Sequence, residues 1–265
     1  MSYRRALPAG LVAAALALAA CSHSSPSSSD TSTTSGPAPT SAHAPAAAAR
    51  PLAAQLGRGL AGVTSAHLAI DAGALLGTAV GSIKVQRGTV TASDLTVTTG
   101  GAKAHVITIA GTSYAHLDGG KQLGPKPWVK VSSTSSNEFV RGLAGNLQLV
   151  QSVTSLGEVA QLLGTATSVK QDGTGTVDGV KATHYLLTLD AGTAAKSGNG
   201  QLQSLLNELG SGSVPVDLWT DAQHRPVKIA VHLSLAGTKL AVTVDITNYN
   251  APVTITAPPA NQVGG

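Results

Sequence analysis

From Val214 to Tyr249 the chain alternates apolar and polar positions with a strict period of two. Val214, Val216 and Leu218 set the pattern. Val227, Ile229, Val231, Leu233 and Leu235 repeat it, and Leu240, Val242, Val244 and Ile246 repeat it again. A period of two is what a strand shows when one face is buried and the other is wet. Asp221 to Pro226 and Ala236 to Lys239 supply the turn residues between the three runs. The stretch therefore predicts three consecutive antiparallel strands. One face of the trio is a continuous aliphatic wall.

Upstream the same reading predicts a helix opening at Arg50-Pro51, with Leu52, Leu56, Leu60 and Val63 at helical spacing. Short strands follow near Thr64–Ala72, Thr78–Arg87, Thr89–Thr99, Lys103–Ala110, Thr112–Leu117 and Trp128–Val131, punctuated by Gly-containing turns. Between Asn137 and Leu163 the period changes. Phe139, Val140, Leu143, Leu147 and Val150 predict one helix, and Leu156, Val159, Leu162 and Leu163 a second, stopped at Gly164. Strands return at Ala166–Val177 and Val180–Asp190 around an Asp178-Gly179 turn. A short helix is expected from Gln201 to Leu209, and Pro258-Pro259 is expected to end ordered pairing. The count is about eleven strands with helices inserted in the middle, an α+β arrangement built on antiparallel meanders.

The first fifty residues lack this periodicity. Arg4 and Arg5 precede an apolar run from Leu11 to Ala20, too short for a mature membrane span and shaped like a secretory signal. Its ending, Leu18-Ala19-Ala20-Cys21, resembles the lipobox of bacterial lipoproteins. That resemblance implies cleavage after residue 20 and diacylation of Cys21, and two acyl chains are enough for stable anchoring. An incidental cysteine after an ordinary signal is the alternative. Residues 22–49 are Ser, Thr, Pro and Ala with hardly a large apolar side chain, so they are expected to be a disordered tether. Such a tether has a mean span of about 30 Å and a stretched limit near ~90 Å. Residues 50–262 make the folded domain in this reading.

Composition narrows the function classes. Aromatic residues are only 3% and charged residues 11%, so the apolar mass is Ala, Val, Leu and Ile. Lys and Arg number 17 against 13 Asp and Glu, a net +4, and loss of Arg4 and Arg5 with the leader would leave +2. That is too little for nucleic-acid binding, which needs clustered cations. A single cysteine excludes an internal disulfide.

Candidate chemistry is sparse. The chain has no nucleophile elbow, zincin or phosphate-loop motif. His67 and His232 flank apolar positions and are expected to point away from the apolar face. His105, His116 and His184 show no metal-ligand spacing, so no metal site, cofactor or catalytic residue is assigned. Asp71, Asp94, Asp118, Asp178, Asp190 and Asp221 are read as lying mostly in turns or at strand ends.

Several local runs resemble the LppX/LprG group of actinobacterial lipoproteins, whose fold is similar to LolA and LolB. They are Thr112-Ser113-Tyr114 with Trp128-Val129-Lys130-Val131, Asp178-Gly179-Val180 with His184-Tyr185, Leu218-Trp219-Thr220-Asp221, and the tail from Tyr249 to Ile255. The resemblance covers residues 50–262. It implies a curved antiparallel half-barrel whose concave apolar face is covered by helices and encloses a cavity for acyl chains. The candidate lining is Leu68, Ile70, Ile83 and Val85 from the first strands. From the final trio it takes Val216, Leu218, Ile229, Val231, Leu233, Val242 and Val244.

Expected from this is a lipoprotein held through Cys21 on the extracytoplasmic face of the cell membrane. It would bind a lipid or glycolipid and carry or present it between envelope layers, with no nucleic-acid partner. A lined cavity and a packed core use the same residue types, so a protein-interaction module with a solid core is the alternative reading. An enzyme of wall or lipid metabolism is the third.

Overall fold

The computed structural model describes residues 46–73, 77–118, 125–144, 147, 156–197, 212–235 and 238–264. Ala42–Gly265 forms one compact unit. Its scaffold is a single twelve-stranded sheet. The first meander is β1 (Ser65–Asp71), β2 (Thr78–Gln86), β3 (Thr89–Thr99), β4 (Ala102–Ile109), β5 (Thr112–Leu117) and β6 (Trp128–Lys130). The second is β7 (Ser168–Val177), β8 (Val180–Asp190), β9 (Ser213–Thr220), β10 (Pro226–Leu235) and β11 (Thr238–Thr247). β12 (Val263–Gly264) completes the set.

The spatial order is β12-β6-β5-β4-β3-β2-β1-β11-β10-β9-β8-β7. Each meander is sequential and antiparallel, and the two are joined at the centre by β1 against β11, with Ile70 opposite Val244 and Leu68 opposite Ile246. The sheet is open and curved. This connectivity leaves two rims. The turns β1–β2, β3–β4 and β10–β11 lie at one, here the upper rim. β2–β3, β4–β5, β7–β8 and β9–β10 turn at the other, the lower rim.

The chain passes from β6, next to one edge, to β7 at the opposite edge through helical segments. They are residues 138–144 (α2) and Leu156–Leu163 (α3). Ala49–Leu60 (α1) precedes the sheet, and Ala191–Ser197 (α4) links β8 towards β9. α1 forms where the Leu52, Leu56 and Leu60 spacing predicts it. It buries all three in the apolar cluster shared with the sheet's inner face and α3, each contributing about 1.5–3 kcal/mol of apolar transfer. Its start is fixed when Ala46 N–H donates to Ala166 O at 2.7 Å, so ordered contacts begin slightly ahead of residue 50. Val140, Leu143, Leu156, Ala160 and Leu163 from α2 and α3 join the same apolar cluster.

Two features depart from the sequence reading. α4 was not foreseen, because Ala191-Gly192-Thr193-Ala194-Ala195-Lys196-Ser197 carries no large apolar residue to show a helical period. Gln201–Leu209 and Val150 lie outside the described residues. Ordered pairing does not stop at Pro258-Pro259: a 3-10 turn at Ala260–Gln262 leads into β12, which pairs in parallel with β6, Val263 opposite Trp128. The tail that reaches it crosses the outer face of the first meander, where Ile255 is buried against Ala92 and Ile107. Asn250 N–H donates to Ser65 O at 2.9 Å at the tail's start.

Candidate functional site: an aliphatic wall beneath the helices

Cross-strand register assembles the apolar positions into rows on the inner face. One row runs Tyr185, Leu218, Ile229, Val244, Ile70, Ala79, Val97, Ala104, Leu117, through nine strands from β8 to β5. A second runs Ile246, Leu68, Gly81, Leu95, Val106, Ala115, Val129 from β11 to β6. Towards the upper rim Leu187, Val216, Val231 and Val242 form a third across β8 to β11. Directly opposed side chains in such rows interact, so the rows join into an apolar surface that is interrupted only at Gly81 in the second.

All eleven candidate lining residues fall in one apolar cluster. Leu68, Ile83 and Leu218 are 0% exposed, and Ile70, Val85, Val216, Ile229, Leu233 and Val244 are also buried. Val231 and Val242, opposite one another, are only partly buried, as is Leu240 opposite Leu233. The wall is thus tightly covered along its middle and incompletely covered towards the β10–β11 turn. The sequence reading missed how far it extends: Leu95, Val97, Val106 and Leu117 continue it across β3 to β5. Their period-two spacing was the available signal.

Gly81 shows why the second row has a gap. A Cβ there would collide with the carbonyl oxygen of Asp94, so the close approach of β2 and β3 requires glycine.

Titratable side chains gather on the outer face. His67 and His232 point away from the wall as expected: His67 Nδ1 is 3.4 Å from Ser82 Oγ, and His232 Nε2 is 2.8 Å from Asp217 Oδ2. Asp217 also lies 2.8 Å from His184 Nε2 through Oδ1, and the His184 ring stacks on Trp219 with centroids 4.1 Å apart. His105 and His116 are opposite one another and both approach Trp128, at 5.1 and 5.5 Å between centroids. These histidines, scattered along the sequence, are paired by the sheet.

Asp94 is not a strand-end residue. It sits within β3, with Oδ1 2.6 Å from His105 Nε2. Among the described residues no group of three or more His, Cys, Asp or Glu is arranged to hold a metal ion. Asp172, on exposed β7, has its carboxyl held below the usual range, first by the hydrogen bond from Lys170 and then by that ammonium's charge.

No protein-family model matches the chain, and no curated protein matches it in sequence. Solved structures do match it in fold. LprF from Mycobacterium bovis superposes with a TM-score of 0.55 at 15% identity, covering 81% of this chain and 99% of that one. The Mycobacterium tuberculosis lipoprotein LppX superposes with a TM-score of 0.51 at 19% identity, covering 79% and 98%. The fold implied by the local runs quoted above is the fold the chain has.

Proposed function

We propose that this chain is a lipid-binding envelope lipoprotein, anchored through diacylated Cys21, held off the membrane by residues 22–49, and taking up acyl chains against the inner face of its sheet. Transport or presentation between envelope layers is the use proposed for that binding. The carrying observation is the aliphatic wall itself. It spans nine strands in register, and its Val231–Val242 end is left half-covered. Each methylene laid on such a surface contributes about 0.8 kcal/mol, so a long chain binds without polar recognition. The fold shared with LppX, itself a lipoprotein, supports the assignment.

A packed interaction module is the competing reading, and the full burial of Leu68, Ile83 and Leu218 favours it locally. Two variants on the same wall separate the readings. Leu218→Gln places an amide in a covered position and should cost about 2–4 kcal/mol. Val231→Gln should cost less than about 1 kcal/mol, because the amide reaches water at a half-covered site. In a carrier the Val231→Gln protein nevertheless loses most of its copurified lipid. Equal stability losses in both variants, with lipid absent from parent and variants alike, would assign the packed module.

A further inference from the structure

The outer face holds a pair of imidazoles with a nitrogen to spare on each. His105 on β4 and His116 on β5 are direct register partners. Directly opposed side chains on adjacent strands start from Cβ atoms about 5 Å apart, within reach of a shared ligand. His116 Nδ1 lies 2.8 Å from Pro127 O. A carbonyl oxygen only accepts, so Nδ1 carries the proton and Nε2 of the neutral ring keeps its lone pair. His105 Nε2 lies 2.6 Å from Asp94 Oδ1. The carboxylate accepts there too, which leaves the lone pair on Nδ1. Both rings rest against the Trp128 indole, at 5.1 and 5.5 Å between centroids. The indole packs in turn on the Ala92–Ile107–Ile255 cluster beneath the tail, and the Trp128 backbone pairs with Val263.

Metal-binding histidines are characteristically backed in this way, by a carboxylate or carbonyl that fixes the tautomer and the ring orientation and raises ligand basicity. We infer that His105 Nδ1 and His116 Nε2 form a bidentate site for a divalent first-row transition-metal ion, with copper(II) bound more tightly than zinc(II). Asp94 is a positioning residue, acting through His105. Two imidazole nitrogens are poor ligands for magnesium and calcium, which take oxygen. Among the described residues no third His, Cys, Asp or Glu completes the set, so water fills the remaining positions and the ion stays exchangeable. Access is open, since the His105 side chain is 35% exposed. Lys103, two residues before it, has its charge offset by Asp118 at 3.4 Å. The other histidine pair is built differently. His184 and His232 each place Nε2 on one oxygen of Asp217, and His184 Nδ1 has Asp172 Oδ2 3.7 Å away. That pair is bridged by a carboxylate rather than left to close on an ion, and it serves as the control. The inference does not depend on the lipid reading.

The test titrates the full chain, with any free Cys21 thiol alkylated, against copper(II), zinc(II) and magnesium by calorimetry. Tryptophan fluorescence is followed in parallel, because a copper(II) ion beside Trp128 quenches it. The parent should bind copper(II) with quenching, zinc(II) more weakly and magnesium not at all. His116→Ala turns the chelate into a single ligand and should weaken copper(II) binding about 100-fold. Asp94→Asn should weaken it about tenfold with the urea midpoint unchanged. His184→Ala should leave it unchanged. Electron paramagnetic resonance of the copper-loaded parent should show two coordinated imidazole nitrogens, a reading that needs no variant to fold. A parent that binds no copper(II), binding that survives His116→Ala, or an equal loss in His184→Ala would overturn the site. Unchanged affinity in Asp94→Asn would overturn the positioning role of Asp94.

Discussion

Tyr249 closes a compact node at the lower rim. Its hydroxyl donates to the carbonyl of buried Pro226, and its ring lies under the Arg225 guanidinium, 4.6 Å from centroid to Cζ. Arg225 is held in turn by Asp221, with Nε 2.7 Å from Oδ2, while Asp221 Oδ1 accepts from the backbone N–H of Gln223 and Arg225. Burial pushes the Tyr249 phenol well above its ordinary ionisation range. The Asp221 charge adds to that shift and Arg225 opposes it. A raised folded pKa gives stability that is complete below the unfolded pKa of about 10 and is lost as pH climbs above it. Tyr249→Phe should cost about 1–3 kcal/mol at neutral pH by orphaning the Pro226 carbonyl. Urea midpoints at about pH 8 and about pH 11 check the linkage: the gap between parent and variant should narrow at the higher pH. A gap that stays constant would mean the phenol ionises freely in the folded protein. Sequence alone marks residues 221–226 as a turn, but the pairing of Asp221 with Tyr249 through Arg225 joins separate strands and leaves no local pattern.

At the scale of elements, two glycines of α1 separate helix propensity from packing. Gly57 has no atom within 4 Å of where a Cβ would stand. At Gly59 that Cβ would meet His224 O at 2.8 Å and His224 C at 2.9 Å, backbone atoms of the β9–β10 turn. Alanine is favoured over glycine in a helix interior by up to about 1 kcal/mol. Gly57→Ala should therefore raise the thermal midpoint, whereas Gly59→Ala should lower it by pushing α1 off the turn. If both raise it, α1 does not dock as described. Elements were legible in proportion to their periodicity. β1 to β5 and β8 to β11 show a period of two and were placed almost to the residue. β12 was not, because two residues pairing in parallel with a strand far back in the chain have no period to read. α4 and the reach of the tail across Ala92 and Ile107 escaped for the same reason: what holds them is tertiary contact.

Over the whole molecule, the connectivity explains how so long a wall is built from local turns. Most links within each meander are hairpins, α4 standing in the one between β8 and β9, and the pairing of β1 with β11 fuses the two. The two edges are treated differently. β6 receives β12, while β7 has no further strand beside it among the described residues, and there an irregularity between Gln171 and Gly173 and the Lys170–Asp172 ion pair blunt the edge against further strand addition. The aliphatic face was legible from its spacing, and the candidate lining residues do share it. The rows that join its strands were not, since which residues oppose one another is set by register and leaves no local pattern. The most direct test of the central claim is native mass spectrometry of the full chain purified from cells that process it. The account predicts that the chain carries an acyl lipid which denaturation releases, or, once stripped, binds 1-palmitoylglycerol at one molecule per chain. A chain that emerges free of lipid and takes up no 1-palmitoylglycerol would contradict it.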